Sequence, residues 1–375
     1  MGERAAGAAA RVLVISGSVG AGHDGAADEL ISRLAKLGVA TDRRDYLDAL
    51  PRVCRYVLRD GYRLSIGYAP RFFDWLFTSI ESAGWVQRVS LGLCRVAQRH
   101  VRRWAGDHDV VVSTYMLASQ TLGQLKEAGL VDATVVTFLT DPAVHRLWVH
   151  PAVEHHVTVT EATARMGHLV YRTPMRAVGG LVSERFAHRP DPAHRQRLRA
   201  ELGLSPDGLV ALLATGSLGM GDVPNVVRAI SSSGVAEVVV LCGRNDRLRK
   251  QLSLEPGVVA LGWRDDVPDL MAAADVLVHN AGGLSLTEAL TAGLPAVTYR
   301  PIPGHGIANS EVLADAGLAP WPQDEVELVA AIRQQAAGRG DPSHVVRSPD
   351  TAAVVLSLLA ERAQPAGSGR DARPA

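Results

Sequence analysis

Twice in this chain an apolar run with the look of a β-strand passes straight into glycines and then into a helical period. The first run is Arg11 to Ser16 (RVLVIS), followed by Gly17-Ser18-Val19-Gly20-Ala21-Gly22-His23 and an amphipathic stretch near Gly25 to Leu37. The second is Leu209 to Ala214 (LVALLA), followed by Thr215-Gly216-Ser217-Leu218-Gly219. Between and after them come further short apolar runs: Asp109–Ser113, Thr134–Leu139, His156–Val159, Glu237–Leu241, Val258–Leu261, Asp275–His279 and Pro295–Tyr299. Short apolar runs alternating with helical periods predict parallel strands joined by helices, an α/β chain. At 375 residues, two such units are expected. The polar stretch holding Pro190, Pro192 and Pro206 divides them. The expected organisation is a front domain over 11–182, a linker over 183–207, a rear domain over 208–345, a helix over 346–362 and a disordered tail over 363–375.

Charge and cysteine content narrow the class. Lys plus Arg and Asp plus Glu both number 39, so a generally cationic nucleic-acid binder is not expected. Cys54, Cys94 and Cys242 form no CxxC pair and no disulfide framework, which fits a reducing cytoplasm. No apolar run approaches the roughly 18 residues that span a bilayer, and MGERAAGAAA lacks the apolar core of a signal peptide. Residues 51–104 are the exception to the charge balance, with ten arginines against three acids, a net charge of +7, and nine of the eighteen aromatics. Arginine beside exposed aromatics such as Phe72, Phe73, Trp75, Phe77, Trp85 and Trp104 suits an anionic membrane surface. The same aromatics could equally pack into the front core beneath a solvated arginine face.

The glycine loops carry the chemistry. GxxGxG at 17–22 is neither the GxGxxG of a dinucleotide fold nor GxxxxGK[ST]. His23, at the end of that loop, either caps the helix or faces the cleft as a general base, a role suited to an imidazole near neutral pH. Gly216, Ser217 and their neighbours offer amides and a hydroxyl to phosphate oxygens. The segment Asn280 to Leu290 opens a helix expected to stop at Gly293. Its Gly282, Gly283 and Ser285 would present donors at a helix start, where a diphosphate gains from the dipole. Glu288, one turn further in, could accept from two ribose hydroxyls or simply compensate the dipole. Pro303 to Asn309 is expected as a polar loop beside that site.

Gly20-Ala21-Gly22-His23, Thr140-Asp141 with His145 and Trp148, Cys242-Gly243-Arg244-Asn245 and Gly282 to Glu288 stand in one order over residues 11–330. In this the chain resembles the monogalactosyldiacylglycerol synthases and processive diacylglycerol glucosyltransferases, and more distantly the lipid II GlcNAc transferase. The resemblance implies a GT-B fold: two Rossmann-like doubly wound domains facing across a cleft. It also implies an inverting, metal-independent hexosyltransferase that moves a hexose or N-acetylhexosamine from a UDP-sugar to a lipid hydroxyl, with no cofactor. His23 would be the base. Gly216, Ser217, Gly283 and Ser285 would meet the donor diphosphate, with Gly22 and Gly282 also on the donor side and Arg244 helping to neutralise the charge. Glu288 would hold the ribose, Trp263 and Val267 the uracil, and His305 and Asn309 the donor sugar. Asp141, His145 and Trp148 would line the acceptor side. A peripheral position on the inner membrane face, through residues 51–104, follows from the lipid acceptor.

The chain departs from the family pattern at three places: Asn280 for a Lys, Tyr115-Met116 for a His-Pro, and His305-Gly306 for a Gln-Glu. A soluble acceptor therefore stays open. So do a UDP-sugar 2-epimerase of the same architecture, a dehydrogenase using Asp45 or Asp48, and a non-enzymatic membrane-docking subunit. Asp107-His108-Asp109 matches a DxD metal motif but is expected to be a polar turn. His150, His155 and His156 are expected at the surface rather than around zinc.

Overall fold

The computed structural model describes residues 10–61, 75, 79, 84–188, 191–280, 283–338 and 350–363. Gly282, Phe72, Phe73, Phe77 and the tail from residue 364 lie outside the described residues. The front sheet comprises β1 (Arg11–Ser16), β2 (Ala40–Asp45), β3 (Val110–Ser113), β4 (Thr134–Leu139), β5 (His155–Thr158) and β6 (Arg176–Ala177), ordered β2-β1-β3-β4-β5-β6. The rear sheet comprises β7 (Val210–Ala214), β8 (Glu237–Leu241), β9 (Val258–Leu261), β10 (Val276–His279) and β11 (Ala296–Thr298), ordered β11-β10-β7-β8-β9. All pairings are parallel. The front helices are α1 (Ala21–Lys36), α2 (Arg52–Tyr56), α3 (Trp85–Ala105), α4 (Met116–Glu127) and α5 (Glu161–Tyr171). The remaining helices are α6 (Pro192–Glu201), α7 (Val223–Ser233), α8 (Asp246–Leu252), α9 (Val267–Ala273), α10 (Leu284–Thr291), α11 (His305–Asp315), α12 (Glu325–Ala337) and α13 (Thr351–Ala363).

The central strands form because both of their faces are covered by helices, so they can be apolar throughout. VVVS of β3 and VALLA of β7 are buried at every position. Each sheet separates two apolar clusters, one on either face. In both sheets the chain reverses direction across the sheet at a pair of neighbouring strands. In the front sheet these are β1 and β3, and in the rear sheet β7 and β10. Ligands of such sheets bind at the carboxyl ends of the strands at that reversal. The loops at 17–20 and 215–221 stand there, as do Asn280 and Gly283.

Several expectations need correction. β2, with the sequence ATDRRD, escaped notice because it is a half-exposed edge strand with no apolar alternation. Pro303–Asn309 is not a loop: Gly304, at φ 74°, turns the chain directly into α11, whose first residue is His305. His150 and His156 are buried rather than at the surface. The His150 ring fills the space left by Gly123, where a Cβ would come within 2.2 Å of it. Burial pushes the His156 imidazole down to about 4, so it stays neutral inside the sheet. Asp107-His108-Asp109 is the expected turn, at the amino ends of the strands and away from the reversal. Asp109 accepts from the Arg11 amide at 2.9 Å, and His108 Nε2 meets Asp42 at 2.8 Å.

The stretch between the sheets is built around one buried cation. Arg199 of α6 donates to the carbonyls of Ala273 (3.0 Å), Pro206 (2.9 Å) and Gly208 (2.8 Å) and to Asp275 (2.7 Å). Asp275 is completed by Arg195 and by the Val210 amide. Removing the guanidinium would strand three carbonyls and half-unpair a carboxylate. Arg199→Ala should therefore lower the unfolding free energy by about 3–5 kcal/mol, read as an earlier urea midpoint of the rear domain.

Candidate functional site

His23 lies in the first turn of α1 rather than at the loop's end, and two segments of the front sheet hold its ring. Nδ1 is 2.8 Å from the carbonyl oxygen of Thr114, just after β3, and 3.0 Å from the Thr140 hydroxyl, just after β4. A carbonyl can only accept, so Nδ1 carries a proton, and in the neutral ring Nε2 keeps its lone pair. The ring is walled by Tyr115, edge-on at 5.2 Å, and by Trp148 at 6.0 Å. Gly17 is required here, because a Cβ would fall within 2.5 Å of the Tyr115 ring. Thr114 and Thr140 orient the imidazole although sequence reasoning assigned them no role. Thr140 had its place in the family motif as a signal, and Thr114 only its proximity to a strand end.

A cavity of ≈ 200 Å³ brings His23, Gly22 and Asp141 of the front half against Gly216, Ser217, Gly283, Ser285 and His305 of the rear half. Burial lowers the pKa of His305, with Asp141 opposing that shift and His23 adding to it. Asn280, where the resembled family carries Lys, donates its amide to the Met220 carbonyl at 2.7 Å and ties two glycine loops together.

A second cavity of ≈ 370 Å³ continues along the rear half past Gly216, Ser217, Ser285 and Glu288 to Trp263 and Val267. Gly243 keeps this region open. It sits at φ 58°, and a Cβ there would reach 2.5 Å from the Ser217 carbonyl. Burial alone pushes the Glu288 carboxyl up to about 8. Ser183, Arg185 and Phe186, from the segment joining the domains, also line this cavity and were not anticipated. Nothing in their local sequence marks them, since the long-range chain path brings them in.

Four expected site residues stand elsewhere. Trp148 is fully buried in a small cluster with Leu139 and Val144, and its indole N–H donates to Asp141 at 3.1 Å. It therefore positions Asp141 instead of lining an acceptor channel. His145 is likewise buried, its ring 5.9 Å from that of Trp148. Asn309 is buried and its side-chain oxygen accepts from the Ala143 amide at 2.9 Å, bridging the two halves. The Arg244 guanidinium lies 4.6 Å over the Trp263 ring, outside the residues lining either cavity.

Comparison with known proteins finds likenesses in both halves of the chain. Residues 43–168 match the model for monogalactosyldiacylglycerol (MGDG) synthase, and residues 219–337 the model for glycosyl transferases group 1. A processive diacylglycerol beta-glucosyltransferase of Bacillus licheniformis is 22% identical over 322 residues, covering 82% of each chain. MurG of Acinetobacter baumannii superimposes with a TM-score of 0.54 at 15% identity, covering 94% of this chain and 100% of that one. HepE of Anabaena, solved in complex with UDP-glucose, gives 0.56 at 14% identity, with 94% and 98% coverage. The chain thus resembles the monogalactosyldiacylglycerol synthase and processive diacylglycerol glucosyltransferase family over most of its length, and it is a glycosyltransferase of the GT-B fold.

Proposed function

We propose that this glycosyltransferase moves a hexose or N-acetylhexosamine from a UDP-sugar to a hydroxyl of a membrane lipid such as diacylglycerol, with inversion and without a metal ion. The observation that carries the proposal is the shared cavity, where His23 stands across from the start of α10 and the 215–221 loop. The acceptor O–H proton passes to Nε2 and the acceptor oxygen bonds to the anomeric carbon. The bond from that carbon to the diphosphate breaks on the opposite face, the diphosphate keeping the electron pair. Amides and hydroxyls at the helix start and Ser217 meet its charge. Glu288 takes the ribose hydroxyls, and the Trp263–Val267 end takes the base. Apolar Val19, Leu218 and Met220 beside His23 suit the acyl-bearing part of a lipid acceptor. The name of the relatives points to diacylglycerol, and the HepE complex points to a UDP-sugar.

The membrane half of the proposal rests on α3. One face, with Val86, Cys94, Ala97, Val101 and Ala105, is buried. The other exposes Trp85, Val89 and Val96 among Arg88, Arg95, Arg99, Arg102 and Arg103, and the helix has no acid. Trp104, by contrast, packs partly into the core, so the aromatics divide between the two roles. No described helix is long and apolar enough to cross a membrane. Each arginine near an anionic surface contributes about 1 kcal/mol.

The test is UDP release from UDP-glucose, UDP-galactose and UDP-GlcNAc with diacylglycerol in anionic vesicles, repeated in EDTA. Release that depends on the lipid and survives EDTA is expected. Release only with soluble acceptors would remove the lipid reading, and loss in EDTA the metal-free one. Converting Arg95, Arg99, Arg102 and Arg103 to Glu should abolish co-sedimentation with the vesicles, and equal partitioning would discredit the α3 surface.

A further inference from the structure

Arg244 was expected at the diphosphate, and its surroundings assign it another task. Its backbone amide donates to the Ser217 carbonyl at 2.9 Å, which fixes the turn after β8 against the turn after β7. From there the guanidinium reaches outward and lies over the indole of Trp263, 4.6 Å from the ring centroid. Among the described residues the Arg244 side chain makes no ion pair and no hydrogen bond, so the ring is its one recorded partner. Trp263 needs such a partner. It belongs to the short segment between β9 and α9, is 51% exposed, and lines the outer end of the donor cavity. An indole in that position has several accessible rotamers, and a cation over one face favours the one that keeps the ring against the cavity mouth.

We propose that Arg244 is a positioning residue that holds Trp263 as the wall of the nucleobase end and makes no contact with the diphosphate. The inference rests on the UDP-sugar reading of the site, and it deepens that reading by dividing the work along the cavity. Phosphate charge is met by amides and hydroxyls near Ser217 and Ser285, while the cation stacked on Trp263 acts on the base through that ring. The two roles for Arg244 differ in which part of the ligand feels its loss. A phosphate contact would weaken UDP and leave uridine untouched. A cation acting through Trp263 would weaken uridine and UDP by the same factor.

The experiment titrates the full chain with uridine and UDP by ligand-observed NMR and tryptophan fluorescence, using Arg244→Met, Arg244→Lys, Trp263→Phe and the Arg244→Met/Trp263→Phe double variant. Both substitutions at 244 fall on an exposed side chain, and thermal melts confirm folding. Arg244→Met should weaken both ligands equally, by about two- to fivefold, the range of an exposed cation–π contact. Arg244→Lys, which keeps a cation, should restore most of that. The fluorescence change assigned to Trp263 by the Phe variant should shift in Arg244→Met before any ligand is added. Once Trp263 is Phe, the Met substitution should cost less than it does alone. Selective loss of UDP binding with uridine unchanged would make Arg244 a phosphate ligand and overturn the proposal. Unchanged affinity for both ligands would overturn it as well. Failure of the wild type to bind either one would remove the nucleotide site itself, and this role with it.

Discussion

His23→Ala is expected to lower kcat by on the order of a hundredfold or more while leaving UDP affinity within about twofold, as befits loss of a general base. The split follows from position. The imidazole belongs to the front half and is held by Thr114 and Thr140, whereas Glu288, Trp263 and Val267, at the proposed nucleotide end, belong to the rear half. A donor can therefore still bind, but the acceptor hydroxyl has nowhere to send its proton. His23→Gln, which keeps a polar group without a basic nitrogen, should be as impaired as Ala. Full turnover in either variant, measured as UDP release at saturating donor, would dispose of the mechanism.

Glu288→Gln should do two opposite things. A carboxylate accepting from two ribose hydroxyls is a charge-assisted pair of contacts that an amide meets only in part, so UDP affinity should fall by about ten- to a hundredfold. Stability should rise instead, and only at high pH. Burial raises the carboxyl from its ordinary 4.5 to about 8, so the folded chain holds this proton more tightly than the unfolded chain does. The burden on folding is absent below about pH 4.5, grows between there and pH 8, and is complete above it. Gln has nothing to ionise. The variant should melt at the wild-type temperature near pH 4.5 and above it near pH 8.5. An identical offset at both pH values would show that Glu288 is not the group responsible. The same chemistry implies that UDP binding to the wild type expels a proton near neutral pH, visible in calorimetry as a heat that depends on the buffer.

The central strands were readable because burial on both faces makes each one a continuous apolar run a few residues long. Thr134–Leu139 and Glu237–Leu241 coincide with β4 and β8 to the residue. The edge strand β2 was not readable, since an edge can be polar and still pair. The cavity-lining residues Gly216, Ser217, Ser285, Glu288, Trp263 and Val267 were legible from glycine spacing and helix-start chemistry together with the family motif. Trp148, His145, Asn309 and Arg244 were misplaced for one reason: a motif reports that a residue type is needed, not which way its side chain points. Trp148 turns its N–H to Asp141 and its ring to the core, and no spacing of four or seven residues encodes that choice.

By itself the sequence determined two parallel sheets, the loops that would carry ligands, and an imidazole where the first glycine loop meets the first helix. These follow from patterns contained within about fifteen residues, where periodicity, glycine and helix-start preferences act locally. Only the tertiary structure decided what completes the site. The carbonyl that fixes the His23 tautomer is 91 residues away. The C-terminal α13 returns past the whole rear domain to pack Val355 and Leu358 against the front core, while Asp350 at its start pairs with Arg33 of α1 at 2.8 Å. Such contacts arise from burying apolar faces made far apart in the chain, and that pairing becomes definite only once both faces exist and are brought together.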